Sequence, residues 1–220
     1  TWSIANNIKF MYASSAATYG QGENGFSDDD KTSLCLKPMN VYGFSKYLFD
    51  LWVLRHQFEK KFTAFKFFNV FGPNEHHKSD MMSVIAKSFH QVKNDKKIRL
   101  FKSHKPDYAD GEQKRDFIYI KDVVDMMYFF VKNPEQRGIY NIGTGNARTW
   151  NELSNALFHA LNIKPCVEYI DMPIDLMDKY QYFTQADLSK LRQSGCQHQC
   201  MSLETSVSDY VHYLQNDLYL

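Results

Sequence analysis

Tyr42 and Lys46 stand four residues apart at the head of a long amphipathic stretch, Tyr42-Gly43-Phe44-Ser45-Lys46. On a helix, positions i and i+4 share a face, so the phenol and the ammonium can converge on one point. Free tyrosine titrates near ~10, too high for a base at neutral pH, and a neighbouring cation favours its charged form. Taken alone the spacing is a weak signal, because a tyrosine and a lysine at i and i+4 also occur on ordinary packed helices. Its meaning rests on the elements that would hold the two side chains in place.

Lys9-Phe10-Met11-Tyr12-Ala13 reads as a short buried strand that ends in Ser14-Ser15-Ala16-Ala17-Thr18-Tyr19-Gly20. Small hydroxyl residues beyond a strand's carboxyl end lie where open α/β sheets place ligands. Residues 38–41 lead into a helix from Tyr42 to about Lys61, with Leu48, Leu51, Trp52, Leu54 and Phe58 on its apolar face. Residues 63–71 form the next expected strand, stopped by Gly72-Pro73. A helix over 79–93, a strand over 98–101 and a charged, turn-rich loop over 102–114 come next. Phe117-Ile118-Tyr119-Ile120 reads as a strand, followed by a helix from Asp122 to Lys132 with Asp122 as its N-cap. After a strand and turn at 138–143, Thr149 caps a helix over 150–161, and Glu152 completes a capping box. Residues 167–170 read as a short strand, and helical pieces broken near Gly195 fill 175–220. Strand, helix and strand in alternation predict an α/β fold with a parallel sheet and crossover helices.

Composition narrows the function. The chain has 220 residues, 44% of them hydrophobic, and a net charge of +1, with no Lys/Arg block that would call for nucleic acid or an anionic membrane. No apolar run approaches the ~20 residues of a membrane span, and no secretory signal opens the chain, so a cytoplasmic address is expected. Cys35, Cys166, Cys196 and Cys200 are too scattered for a disulfide framework. Cys196-x-x-x-Cys200 brackets His198, but no second Cys/His pair stands at matching spacing, and adjacent His76 and His77 rarely face one ion; no metal is expected. Gly20-Gln21-Gly22-Glu23-Asn24-Gly25 matches G-x-G-x-x-G by letter. It lacks the strand directly before it and the helix opening within it, and the acidic run Asp28-Asp29-Asp30 would repel phosphate.

Five motifs stand in one order: Tyr12 to Gly20, Asn40-Val41-Tyr42-Gly43-Phe44-Ser45-Lys46, Phe68-Asn69-Val70-Phe71-Gly72-Pro73, Arg115-Asp116-Phe117-Ile118-Tyr119-Ile120-Lys121-Asp122-Val123, and Gly138-Ile139-Tyr140-Asn141-Ile142-Gly143-Thr144-Gly145. In that order they resemble the extended short-chain dehydrogenase/reductase family of nucleotide-sugar enzymes. Glu75-His76-His77-Lys78 and Tyr180-Gln181-Tyr182-Phe183-Thr184-Gln185-Ala186-Asp187-Leu188 are most similar to its ADP-heptose branch.

The resemblance implies an epimerase that inverts C6 of an ADP-linked heptose through a transient ketone, with bound NADP (or NAD), for lipopolysaccharide core supply. It implies Tyr42 and Lys78 as the two bases, Lys46 on the cofactor ribose and Ser15 on the reacting oxygen. Val70, Lys46 and Lys78 would meet the cofactor. Ser15, Asn69, Asp80, Lys87, Phe101, Arg115 and Tyr180 would meet the substrate, with Arg115 as the planar donor for its diphosphate. Asp80 and Lys87 stand where the family pattern has serine and histidine, and the 102–114 loop is longer than usual. The implied fold is the C-terminal portion of a Rossmann-type parallel sheet, residues 1–75 and 115–146, with a smaller α/β substrate-binding lobe, residues 76–114 and 147–220. A homo-oligomer, a pentamer, is implied as well. The opening strand, glycine-rich turn and helix of the family have no counterpart before Lys9, so the expectation is a fragment or a truncated product. The alternatives are another nucleotide-sugar epimerase or dehydratase of the family, or a non-catalytic remnant.

Overall fold

The computed structural model describes residues 2–220. Three parallel strands, β1 (Phe10–Ser15), β2 (Phe62–Phe67) and β6 (Gly138–Ile142), form one sheet in the order β1-β2-β6. Register pairs Ser15 with Phe67 and Phe67 with Ile142, so the carboxyl ends of all three strands lie level. The crossover from β1 to β2 runs through helix α1 (Val41–Arg55), which buries Gly43, Tyr47, Asp50 and Val53 against the sheet. These positions recur every three or four residues, which is the spacing that puts side chains on one helical face. Asn40 caps α1 by accepting from the Gly43 amide at 2.8 Å. The helix stops at Arg55, six residues before the end expected from the apolar pattern, because Gln57 turns left-handed (φ 57°) ahead of a short 3₁₀ turn, Phe58–Lys60.

The strand expected over 63–71 is two strands in different sheets. Phe68 breaks it, burying its ring with Tyr19, Leu36 and Tyr47, and β3 (Asn69–Phe71) then pairs in parallel with β5 (Lys114–Tyr119). β5 pairs on its other side, antiparallel, with β7 (Ala147–Thr149), a strand too short to show alternation in the sequence. β4 (Ile98–Phe101) and β8 (Val167–Ile170) form a separate parallel pair.

The helix expected over 79–93 is α2 (Val84–Asp95), capped by Ser83, and the residues before it, His76–Met81, form a 3₁₀ segment kinked at Ser79. Helix α3 (Ile120–Lys132) starts two residues before the expected cap; Asp122 lies in its first turn and makes no cap. Helix α4 (Trp150–Ala160) is capped as expected: the Thr149 side chain accepts from the Glu152 amide at 3.0 Å, and the Glu152 carboxylate accepts from the Thr149 amide at 2.7 Å. α5 (Ser189–Gln193) and α6 (Leu203–Asn216) flank Gly195.

Besides the cluster around Phe68, two larger apolar cores hold these parts. One joins Ile85, Phe89, Leu100, Tyr119, Leu157 and Tyr210, from α2, β4, β5, α4 and α6. The other joins Phe65, Ile118, Met126, Phe130, Ile142 and Leu191 around β2, β6 and α3. At roughly 1.5–3 kcal/mol for each large side chain removed from water, these clusters outweigh the surface ion pairs, worth about 0–1 kcal/mol each. Among the described residues, no helix is long and apolar enough to cross a membrane.

Candidate functional site

Ser15 ends β1 and caps the 3₁₀ turn Ala16–Tyr19, its Oγ accepting from the Ala17 amide at 3.1 Å. That bond uses an oxygen lone pair and leaves the hydroxyl proton free to donate. Gly43 brings α1 onto this turn: a Cβ there would lie 2.6 Å from the Ala17 carbonyl oxygen. Any other residue at position 43 would hold the helix off, so the close approach of α1 to this turn depends on one missing methyl group.

Tyr42 is 55% exposed, which leaves its phenol open to a ligand. The Lys46 ammonium lies 5.8 Å from the Tyr42 ring centroid and donates to the Ala13 carbonyl at 2.9 Å. The i, i+4 pair is therefore tied to β1 through the backbone of the strand that carries Ser15. Beneath it, with both side chains fully buried, Lys66 and Asp50 form an ion pair at 2.8 Å. Asp50 also accepts from Ser14 Oγ at 2.6 Å and Tyr12 Oη at 3.0 Å, while Lys66 donates to Thr18 Oγ1 at 2.8 Å. Burial pushes the Lys66 ammonium below its ordinary value, with Asp50 opposing. This network fastens β1, α1 and β2 at the level of Ser15; its signal in the sequence was only a lysine inside an apolar strand.

Asn69 and Val70 follow at the start of β3, where Asn69 is paired with Phe117. With Phe71, Ser83, Phe117 and Trp150 they line a small cavity of about 60 Å³. Phe117 stacks edge-on against Trp150, ring centroids 5.0 Å apart, and the Arg115 guanidinium lies over Trp150 at 5.7 Å and over Tyr180 at 5.2 Å. Phe101 closes on Tyr180 with centroids 6.2 Å apart. Arg115, Tyr180 and Phe101, far apart in sequence, thus form one cluster, with Trp150 as a fourth member that sequence reasoning did not single out. Arg115 is 6% exposed; it donates to the Lys114 and Gln181 carbonyls, and no carboxylate pairs with it among the described residues. A buried cation without a counter-ion is costly, and burial pushes its guanidinium below the usual value. Among the described residues, Trp150 Nε1 and both amide atoms of Gln113 are buried without a hydrogen-bond partner.

Lys78 is exposed on the kinked 3₁₀ segment, where Ser79 holds φ 47°, a left-handed conformation unusual for a non-glycine residue. Glu75 anchors the segment. Its buried carboxylate accepts from Ser83 N at 2.7 Å, Ser83 Oγ at 2.6 Å and Tyr210 Oη at 2.7 Å. Asp80 and Lys87 meet through the Lys87 ammonium, which donates to the Asp80 carbonyl at 2.6 Å. Glu75 was legible only as part of a motif, because its role needs α6 folded back to bring Tyr210.

Gly143-Thr144-Gly145 is held by Asp116, a fully buried carboxylate that accepts from the amides of Thr144, Gly145 and Ala186 and from Thr144 Oγ1. The Gly20–Gly25 run is a turn preceded by the 3₁₀ segment, and the short helix that follows, Asp30–Ser33, opens only past the glycines. A groove of about 810 Å³, lined by Phe26, Thr144, Phe183 and Arg192 among others, includes none of the sequence-predicted site residues.

Residues 1–143 match the profile of the NAD dependent epimerase/dehydratase family. The chain is 54% identical over 208 residues to an ADP-L-glycero-D-manno-heptose-6-epimerase of Nitratidesulfovibrio vulgaris, an alignment covering 94% of this chain and 64% of that protein. A protein of the same name from Fusobacterium nucleatum is 48% identical over 225 residues, with 97% of this chain and 68% of that protein covered. Among solved structures, the Helicobacter pylori ADP-L-glycero-D-manno-heptose-6-epimerase superimposes with a TM-score of 0.77 at 29% identity, covering 97% of this chain and 62% of that one. A UDP-N-acetylglucosamine 4-epimerase from Methanobrevibacter ruminantium, 24% identical, shares the fold at a TM-score of 0.80, with 98% and 66% covered. The fold is the Rossmann-type α/β fold of these epimerases. The chain spans 64% of the length of its Nitratidesulfovibrio relative.

Proposed function

The chain belongs to the NAD dependent epimerase/dehydratase family, and from that premise we propose that it is the catalytic and substrate-binding part of an epimerase inverting C6 of ADP-glycero-manno-heptose. The observation that supports this reading best is the convergence, at the carboxyl ends of parallel strands, of Ser15, exposed Tyr42 and strand-tied Lys46. Residues 1–75 and 115–146 form its cofactor-facing part, and residues 76–114 and 147–220 the substrate lobe.

In this reading Tyr42 takes the proton of the C6 hydroxyl, and the free hydroxyl proton of Ser15 hydrogen-bonds the reacting oxygen through the ketone stage. Lys78 serves the opposite face once the sugar has turned, returning a proton to the newly formed alkoxide. Arg115, a buried cation with no paired carboxylate among the described residues, binds the diphosphate, and Tyr180 and Phe101 wall the site around it. Asn69, Asp80 and Lys87 contact the sugar end.

Lys46, Val70 and Lys78 fit the nicotinamide-ribose end of a dinucleotide, since Lys46 presents an ammonium beside an exposed phenol at the sheet's carboxyl edge. NADP, when bound, supplies the reversible hydride acceptor. The enzyme works in the cytoplasm as a homo-oligomer, a pentamer, and provides heptose for the lipopolysaccharide core.

The test is C6 inversion of ADP-heptose by this chain joined to the portion of the Nitratidesulfovibrio relative that it does not cover. Tyr42→Phe and Lys78→Ala are each expected to lower turnover by roughly 10²–10⁴-fold, the usual worth of a positioned acid or base. Near-normal turnover in Tyr42→Phe would remove that residue from its role. Inversion of a UDP-sugar at C4 in place of C6 would overturn the substrate assignment.

A further inference from the structure

We propose that Asp122, His198 and Cys200 form a binding site for one divalent transition ion of the zinc class, separate from the epimerase chemistry. In sequence, His198 and Cys200 lack a partner pair. The fold supplies the missing donor from 76 residues away, by placing Asp122 in the first turn of α3 against the loop that follows α5. The three ligand atoms all lie within 4.8 Å of one another. Asp122 Oδ1 is 2.7 Å from His198 Nε2.

The surroundings orient these donors. Asp122 is 3% exposed, and the Met201 amide faces both of its carboxylate oxygens, at 3.4 and 3.3 Å. The Arg192 guanidinium donates to the carbonyls of Cys196, at 3.2 Å, and His198, at 2.8 Å, clamping the backbone of the loop from Cys196 to the imidazole-bearing residue. Partners of this kind fix the orientation of metal ligands. The Cys200 thiol has only a 4.0 Å contact to the Gly143 carbonyl, so no strong hydrogen bond must be broken to turn it inward.

The donor chemistry selects the ion. One carboxylate oxygen, one imidazole nitrogen and one sulfur suit zinc and its neighbours, whereas calcium and magnesium take oxygen ligands. Bonds of about 2.0–2.3 Å set tetrahedral donors roughly 3.3–3.7 Å apart. Asp122 and His198 would open by less than about 1 Å, and the thiol would close by a similar amount, both within side-chain rotation. Carboxylate and thiolate together balance the dication, His198 stays neutral, and water completes the shell. On binding, Cys200 loses its proton to solvent and no redox step is involved. The ion would tie the loop after α5 to the start of α3.

The experiment uses the full chain with Cys35→Ser and Cys166→Ser, which removes the two exposed thiols. Stripped with EDTA and titrated with Co²⁺, it should take up one equivalent with a near-ultraviolet sulfur-to-cobalt charge-transfer band, displaced by one equivalent of Zn²⁺. Zinc at about a hundredfold over its Kd should raise Tm by roughly 5–10 °C. Cys200→Ser should abolish the band, and Asp122→Asn and His198→Ala should weaken zinc binding at least tenfold. Far-UV circular dichroism and the metal-free Tm of Cys200→Ser show that the fold is kept, with Cys200→Ala as the second variant. Absence of the charge-transfer band, its survival in both Cys200 variants, or no zinc-dependent Tm shift would each overturn the site.

Discussion

Removing one partner of the Lys66–Asp50 pair should be among the most destabilising changes in the chain, and the reason is on both sides of the bond. Both side chains are fully buried and the charged atoms are 2.8 Å apart. At an effective dielectric near 20 the attraction is roughly 6 kcal/mol, against a desolvation cost of several kcal/mol for each ion, so the intact pair is worth little on balance. Lys66→Met removes the attraction and leaves the cost of a buried carboxylate that keeps only Ser14 and Tyr12 as donors. The expected loss is about 3–5 kcal/mol. Asp50→Asn should cost a similar amount by stranding the ammonium on Thr18 Oγ1 and the Tyr19 ring. The double variant Asp50→Asn/Lys66→Met should lose less than the sum of the singles by at least about 2 kcal/mol, because neither charge is then stranded. Urea unfolding followed by far-UV circular dichroism, with m held constant, measures each corner of the cycle. A cost below about 1 kcal/mol for Lys66→Met, or additive singles, would refute the argument that an unpaired charge is what the fold cannot tolerate here.

Gly43→Ala should destabilise although alanine is the better helix former by about 1 kcal/mol, since its Cβ would press within 2.6 Å of the Ala17 carbonyl oxygen. Overpacking of that kind costs roughly 1–3 kcal/mol and should lower Tm by several degrees; a raised Tm in a thermal melt would contradict the close-approach reading. For Asp28, burial pushes the carboxyl from 3.8 up to about 6, although the Asn141 amide beside it works in the opposite direction. The folded state then holds that proton more tightly than the unfolded chain, so this contribution is fully present below pH 3.8 and is lost as pH rises to about 6, a change of roughly 3 kcal/mol. Asp28→Asn should flatten unfolding free energy between pH 4 and 7 relative to the parent chain, and parallel curves would sink the assignment. Neighbouring Asp29 has the opposite sign, its carboxyl held down to about 2 mainly by the Thr32 hydroxyl and amide, so its help disappears only as pH falls through that value.

Local interactions were legible in the sequence because they close within one or two turns. The Thr149–Glu152 capping box and the Tyr42–Lys46 spacing on one helical face each depend on neighbours a few residues apart. The order of five motifs also fixed the family, since each motif is itself a short stretch. What the sequence could not decide was every arrangement that depends on distant residues. Phe68 leaves its strand because a cluster with Tyr19 and Tyr47 can bury it, and that break moves Asn69 into another sheet. Asp122 read as a helix cap, whereas the fold sets it against His198 from the loop after α5, and Glu75, legible only within a motif, is fixed by Tyr210 from α6. Arg115 met Tyr180 and Trp150 only once β5, β7 and the 177–183 segment had closed around it. Periodicity and capping are written in nearest neighbours, whereas the partner of a buried charge is chosen by the packing that excludes water from it.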